Sequence, residues 1–130
     1  MTYFEKELHK ILDRLADYGY VFSFIANSAY LRLPNVKIRI DFFNSFSIDN
    51  YDGLLLTAMN NDSGVIDKKS IRFFDVWGYL DSRGNPNFPS GVSPHIWKSG
   101  RTCEWYVGAP QENHYKILSE KIRNYIEIFE

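Results

Sequence analysis

Val36-Lys-Ile-Arg-Ile-Asp-Phe-Phe43 is the stretch that decides the fold. Val36, Ile38, Ile40 and Phe42 alternate with Lys37, Arg39 and Asp41. Because successive side chains of a strand point to opposite sides, this pattern requires a strand with one apolar face and one wet face. An antiparallel sheet is the natural setting, since a strand buried on both faces would read as a continuous apolar run.

Upstream, the same period of two and a richness in aromatic and β-branched residues predict strands over Tyr20–Ala26 and Ala29–Leu33, joined by a turn at Asn27-Ser28. Pro34-Asn35 leads into the deciding strand. Downstream, a polar connection at Asn44–Asn50 precedes two runs, Tyr51–Met59 and Val65–Phe74. They flank Asn60-Asn-Asp-Ser-Gly64, a stretch of turn formers, and so predict a long hairpin with Leu54, Leu56, Ile71 and Phe73 inward and Lys68, Lys69 and Arg72 solvated. Thr102–Val107 regains strand character.

Both ends read as helices. Phe4, Leu8, Ile11, Leu12 and Leu15 recur at helical spacing over Tyr3–Tyr18, with Thr2 and Glu5 spaced as a capping box and Gly19 as the stop. Tyr115, Leu118, Ile122, Tyr125, Ile126 and Phe129 form the stripe of a final helix, with Pro110 suited to its first turn and Glu112, Lys116 and Glu120 on another face. The expectation is one α+β domain over residues 1–130: an antiparallel sheet of about five to six strands bracketed by an N-terminal and a C-terminal helix.

Fifteen basic and sixteen acidic residues leave a net charge of −1, which argues against a wholly basic nucleic-acid binder and against an acidic DNA mimic. A single cysteine, the absence of a signal-peptide pattern and the absence of a membrane-length apolar run point to the cytoplasm.

No chemical motif emerges. His9, His95, His114 and Cys103 match no zinc-ligand spacing, and the histidines read as surface residues. Cys103, in a strand-like run, reads as a small buried hydrophobe rather than a nucleophile. Pairs such as Asp67 with Asp75 arise by chance among sixteen acids, and no Gly-rich phosphate loop precedes a helix. No enzyme activity, metal or cofactor is therefore expected.

What remains is a loop. Residues Gly78–Gly100 hold three of the five prolines and four of the eight glycines, too irregular for an element. In and beside it crowd Trp77, Tyr79, Arg83, His95, Trp97, Lys98, Arg101, Trp105 and Tyr106. Trp, Tyr and Arg dominate binding hot spots, so Tyr79, Arg83, His95, Trp97, Lys98, Arg101, Trp105 and Tyr106 are the candidate binding residues. The alternative is a lid whose tryptophans plug the domain's own core, and Trp77, at the end of an apolar run, leans that way.

Three stretches carry a resemblance: Tyr51-Asp-Gly-Leu-Leu-Leu-Thr57 through Gly64-Val-Ile-Asp67, Ile71-Arg-Phe-Phe-Asp-Val-Trp-Gly78, and Pro94-His-Ile-Trp-Lys-Ser-Gly-Arg-Thr-Cys-Glu-Trp-Tyr106. With the Phe4–Leu8 start and the tyrosine-containing last helix, nearly the whole chain resembles small accessory proteins of Firmicutes phages and conjugative elements. The resemblance implies an accessory gene, a class in which inhibitors of host defence, anti-CRISPR proteins among them, are frequent. The expected function is thus a non-enzymatic protein-binding module, an inhibitor whose partner is a Cas effector nuclease of the Cas9 type. An immunity protein against a cognate toxin and a single-stranded nucleic-acid-binding protein are the alternatives.

Overall fold

The computed structural model describes residues 3–43, 50–79, 81–85, 87, 104–105 and 110–130. Helix α1 spans Tyr3–Leu12 and continues as a 3-10 helix over Asp13–Tyr18. Strands β1 (Phe22–Ile25), β2 (Ser28–Arg32), β3 (Lys37–Phe43), β4 (Asn50–Tyr51), β5 (Gly53–Met59) and β6 (Val65–Arg72) follow. A short helix α2 (Phe73–Val76), strand β7 (Glu104–Trp105) and the long helix α3 (Glu112–Ile128) complete the described elements. The α+β architecture expected from the sequence is present, with five strands in an antiparallel sheet of order β1-β2-β3-β5-β6.

The deciding strand behaves as its alternation requires. Ile38 and Ile40 are fully buried, Val36 is buried, and Arg39 between them is exposed. Register places Ile38 opposite Leu31 and Ala58, and Ile40 opposite Ala29 and Leu56, so one face of these three strands is continuous hydrocarbon. Leu8, Ile11, Leu12 and Leu15 from the first helical segment and Leu118, Ile122, Tyr125 and Ile126 from α3 join these residues in one core. Burying each such leucine or isoleucine contributes about 1.5–3 kcal/mol, which is why these stripes, not helix propensity, hold the two helices on the sheet.

Glu7 and Tyr125 are polar groups of this layer that have partners. Glu7 of α1 is buried, accepts a hydrogen bond from the Tyr115 hydroxyl of α3, and takes Lys10 Nζ at 3.0 Å. Tyr125 of α3 donates to Asp67 of β6 at 2.8 Å. Burial, reinforced by Asp67, pushes the Tyr125 hydroxyl well above its usual pKa, so it stays a donor.

Several expectations are corrected. The helix predicted to Tyr18 tightens to 3-10 after Leu12, although Gly19 ends it in the left-handed conformation as expected, at φ 83°. The β1–β2 turn uses Ala26-Asn27 rather than Asn27-Ser28, with Ala26 at φ 54°, because Ser28 is already paired with Ile25 and Asp41. Phe73 and Phe74 do not extend β6. Phe73 and Val76 are both buried, and Trp77 N–H donates to Phe73 O at 2.7 Å, so spacing of three and four replaces spacing of two. The strand around Glu104-Trp105 does not join the main sheet but pairs in parallel with β4, Asn50 opposite Glu104 and Tyr51 opposite Trp105. Pro110 lies before the N-cap of α3, which is Gln111, not in its first turn. The Thr2 cap and the connection at 44–49 fall outside the described residues.

Two close approaches fix the β5–β6 hairpin. A Cβ on Gly53 would lie 2.1 Å from the Ile71 carbonyl oxygen, so only glycine lets the strands meet there. At the other end Asn60 Oδ1 accepts the N–H groups of Asp62 and Gly64 at 3.0 and 2.8 Å, a side-chain-closed turn of the type its composition predicts. Ile66 is an extra residue between the pairs Met59–Val65 and Ala58–Asp67, a bulge near the end of the edge strand.

Candidate binding face of the sheet

The strands that bury one face present a different set of residues on the other. From the register, that face carries Ser23 and Ile25 of β1, Tyr30 and Arg32 of β2, and Lys37, Arg39, Asp41 and Phe43 of β3. Leu55 and Thr57 of β5 and Lys68, Ser70 and Arg72 of β6 continue it. Among the described residues, five cations (Arg32, Lys37, Arg39, Lys68, Arg72) therefore share the face with one strand carboxylate, Asp41. A chain of net charge −1 thus separates its charges, and its overall balance conceals a basic surface.

The five cations differ in what they face. Arg72 Nη2 is 3.9 Å from the buried Asp52, and its guanidinium lies over Phe74 and Phe43 at 4.9 and 5.9 Å, which makes it a structural clamp. Arg39 Nε pairs with Asp41 at 2.8 Å, and Asp41 also accepts the Ser28 hydroxyl. Arg32, Lys37 and Lys68 have no carboxylate partner among the described residues. Tyr30 sits between these groups, with Lys37 Nζ 5.4 Å and the Arg39 guanidinium 5.9 Å from its ring centre. Beside it a depression of about 270 Å³ is lined by Ser23, Ile25, Tyr30, Arg32 and Lys37. A second of about 150 Å³, lined by Arg32, Val36, Lys37, Asn60 and Asn61, adjoins the same two cations.

A larger groove of about 390 Å³ lies between the 3-10 helix and α3, and its lining mixes the cations Arg14, Lys116 and Arg123 with the carboxylate of Glu120. Arg14 is paired with Glu112, and Arg123 with Glu127 at 3.0 Å while it stacks over Tyr18 at 3.9 Å. The smaller depression on the sheet, lined by two cations and no carboxylate, is the better candidate for an anionic partner.

The loop residues singled out in the sequence fare differently. Tyr79 is partly buried and packs against the core, and its carbonyl accepts Asn87 N–H at 2.7 Å. Arg83 is exposed in a turn closed by Asp81, whose Oδ1 accepts the N–H groups of Arg83 and Asn85 at 2.8 and 2.9 Å. Trp105 is described through its backbone, paired with Tyr51. His95, Trp97, Lys98, Arg101, Cys103 and Tyr106 lie outside the described residues. Trp77 is partly buried against the core, 5.1 Å from Phe73 and stacked at 4.1 Å on His114.

His114 is more than a surface histidine. Its Nδ1 accepts the Gln111 N–H at 2.9 Å, and burial lowers its pKa, so the neutral ring caps α3 and anchors Trp77. His9 likewise stacks on Phe24, at 3.9 Å, and meets Asp13 at 3.3 Å.

Residues Tyr30, Arg32, Lys37 and Arg39 were missed as a site in the sequence, although the wet positions of the deciding strand contain two of them. The missing signal was the register that lays Arg32 beside Lys37 and Tyr30 beside Arg39. Among the described residues no helix is long and apolar enough to cross a membrane. Comparison with protein-family models, curated proteins and solved structures finds no match for this chain.

Proposed function

We propose that the chain is a non-enzymatic binding module of a mobile genetic element, an inhibitor of a bacterial defence nuclease of the Cas9 type, and that it meets its target through the basic face of the main sheet. The observation that carries the reading is the charge separation: on this face, among the described residues, Arg32, Lys37 and Lys68 have no carboxylate partner, while Arg39 is matched by Asp41 and Arg72 lies 3.9 Å from Asp52. A guide-loaded effector is a ribonucleoprotein and presents anionic surface, which such a face attracts; complementarity of this type raises the association rate and selects the partner. The resemblance to accessory proteins of phages and conjugative elements supports the choice of target class.

The test is guide-directed cleavage by effectors of Firmicutes hosts with purified protein added. Loss of cleavage, together with a complex that survives gel filtration, is the expected result. Charge reversal by Arg32→Glu with Lys37→Glu restores cleavage if the sheet face is the contact. Failure to bind any effector of the host defeats the proposal.

A further inference from the structure

Arg32 and Lys37 are direct cross-strand neighbours, closing the register of β2 with β3. Like charges placed directly opposite one another in an antiparallel pair destabilise it, and neither residue has a carboxylate within ion-pair distance among the described residues. The pairing of these two charges does not itself stabilise the strands. An anion held between the two would relieve the repulsion.

The surroundings narrow the anion. Lys37 and Arg39, two residues apart on one strand, place a second cation, itself paired with Asp41 at 2.8 Å, about 7 Å further along the same face. That separation is comparable with the distance between successive phosphates of an extended nucleic-acid strand. Tyr30 stands between them with its ring near both cations, and the depression beside it, about 270 Å³, lies just below the roughly 300–1,000 Å³ of pockets that take drug-sized ligands. It suits one flat ring rather than a large ligand. A row of cations with an aromatic ring on an open sheet is the arrangement by which proteins hold single strands, phosphates on the cations and a base on the ring.

We infer that Tyr30, Arg32, Lys37 and Arg39 form a docking site for single-stranded nucleic acid, with a phosphate between Arg32 and Lys37 and a base against Tyr30. This uses the face proposed above to meet a nuclease and names what that face takes: the nucleic-acid part of the target.

Fluorescence anisotropy with labelled 12-nucleotide DNA and RNA single strands tests it. Two phosphates, one shared by Arg32 and Lys37 and one at Arg39, give a slope of log K on log salt of about −1.4, a loss of about sevenfold between 50 and 200 mM salt. Arg32→Gln with Lys37→Gln leaves one contact and reduces that loss to about threefold. Tyr30→Ala weakens binding by on the order of 5- to 100-fold while Tyr30→Phe does not, because stacking needs only the ring. Lys121→Gln, on α3, leaves binding unchanged, and circular dichroism of each variant shows whether the fold is retained. Absence of binding at 50 mM salt, or binding indifferent to the double substitution in a folded variant, overturns the inference. A mononucleotide that competes as well as the 12-mer also overturns it, in favour of a free-nucleotide site. Inhibition of an effector without oligonucleotide binding would refute this inference and leave the inhibitor reading standing; oligonucleotide binding without inhibition would do the reverse.

Discussion

The two faces of the five-stranded sheet are built from alternate residues of the same strands, yet they obey different rules. On the helix side, Ile38, Ile40, Leu54, Leu56 and Ala58 are fully buried, and the polar groups that enter the layer, Glu7 and Tyr125, have partners in it. On the other side Arg32, Lys37 and Lys68 find no carboxylate among the described residues. Among the described residues the first face is dominated by buried hydrocarbon, and the second holds three cations without a carboxylate partner. The contrast teaches where to separate stability from function in this molecule: substitutions on the first face should change folding, and substitutions on the second should change binding.

The sharpest way to break that comparison is a core truncation. Leu56→Ala is expected to lower unfolding free energy by about 2–5 kcal/mol in urea denaturation, because a cavity opens in a layer with no slack. Gly53→Ala should cost about 3 kcal/mol or more, the added methyl meeting the Ile71 carbonyl, and should shift the β5–β6 amide resonances. Tyr125→Phe removes the donor to Asp67 and should cost about 1–2 kcal/mol, with little change in the far-ultraviolet spectrum.

A smaller effect depends on pH. His114 has a lowered pKa in the folded chain, so the unfolded state binds the proton more readily. Stability from this group is present above the unfolded pKa of about 6.5 and is lost as pH falls toward the folded value. The loss should appear in melts as pH falls below about 6.5 and be reduced in His114→Gln. Smallest of all, Lys37→Gln should alter stability by no more than about 0.5 kcal/mol, and a stabilising sign would fit relief of its repulsion with Arg32. A large destabilisation by Lys37→Gln would show the two faces to be less distinct than their chemistry implies.

Much of the first face was legible in the chain. The Val36–Ile40 alternation, the Leu8–Leu15 stripe and the Leu118–Ile126 stripe each name residues that are buried, whereas Phe42 is only partly so; side-chain period and burial are set locally. The Asn60–Gly64 turn and the Gly19 stop were equally local, fixed by an amide that can bond its own backbone and by a residue without a Cβ. The switch to helix at Phe73 was not legible, because Phe-Phe-Asp-Val fits either period and the decision lies in contacts with Trp77 and the core.

For the site the balance is reversed. Sequence clustering drew attention to the aromatic and basic residues from Trp77 to Tyr106, neighbours along the chain. Of these, Trp77 and Tyr79 pack against the core, whereas Arg83 is exposed. Tyr30 and Arg39, nine positions apart, and Arg32 and Lys37, five apart, become adjacent through pairing alone.

By itself the sequence determined the class of fold, the buried stripe of each terminal helix and the wet face of the deciding strand, because each depends on periodicity within one segment. Only the tertiary structure decided which cations share a surface and which are neutralised. Charge interactions depend on distance in space, and here the register between strands, not their order in the chain, sets that distance.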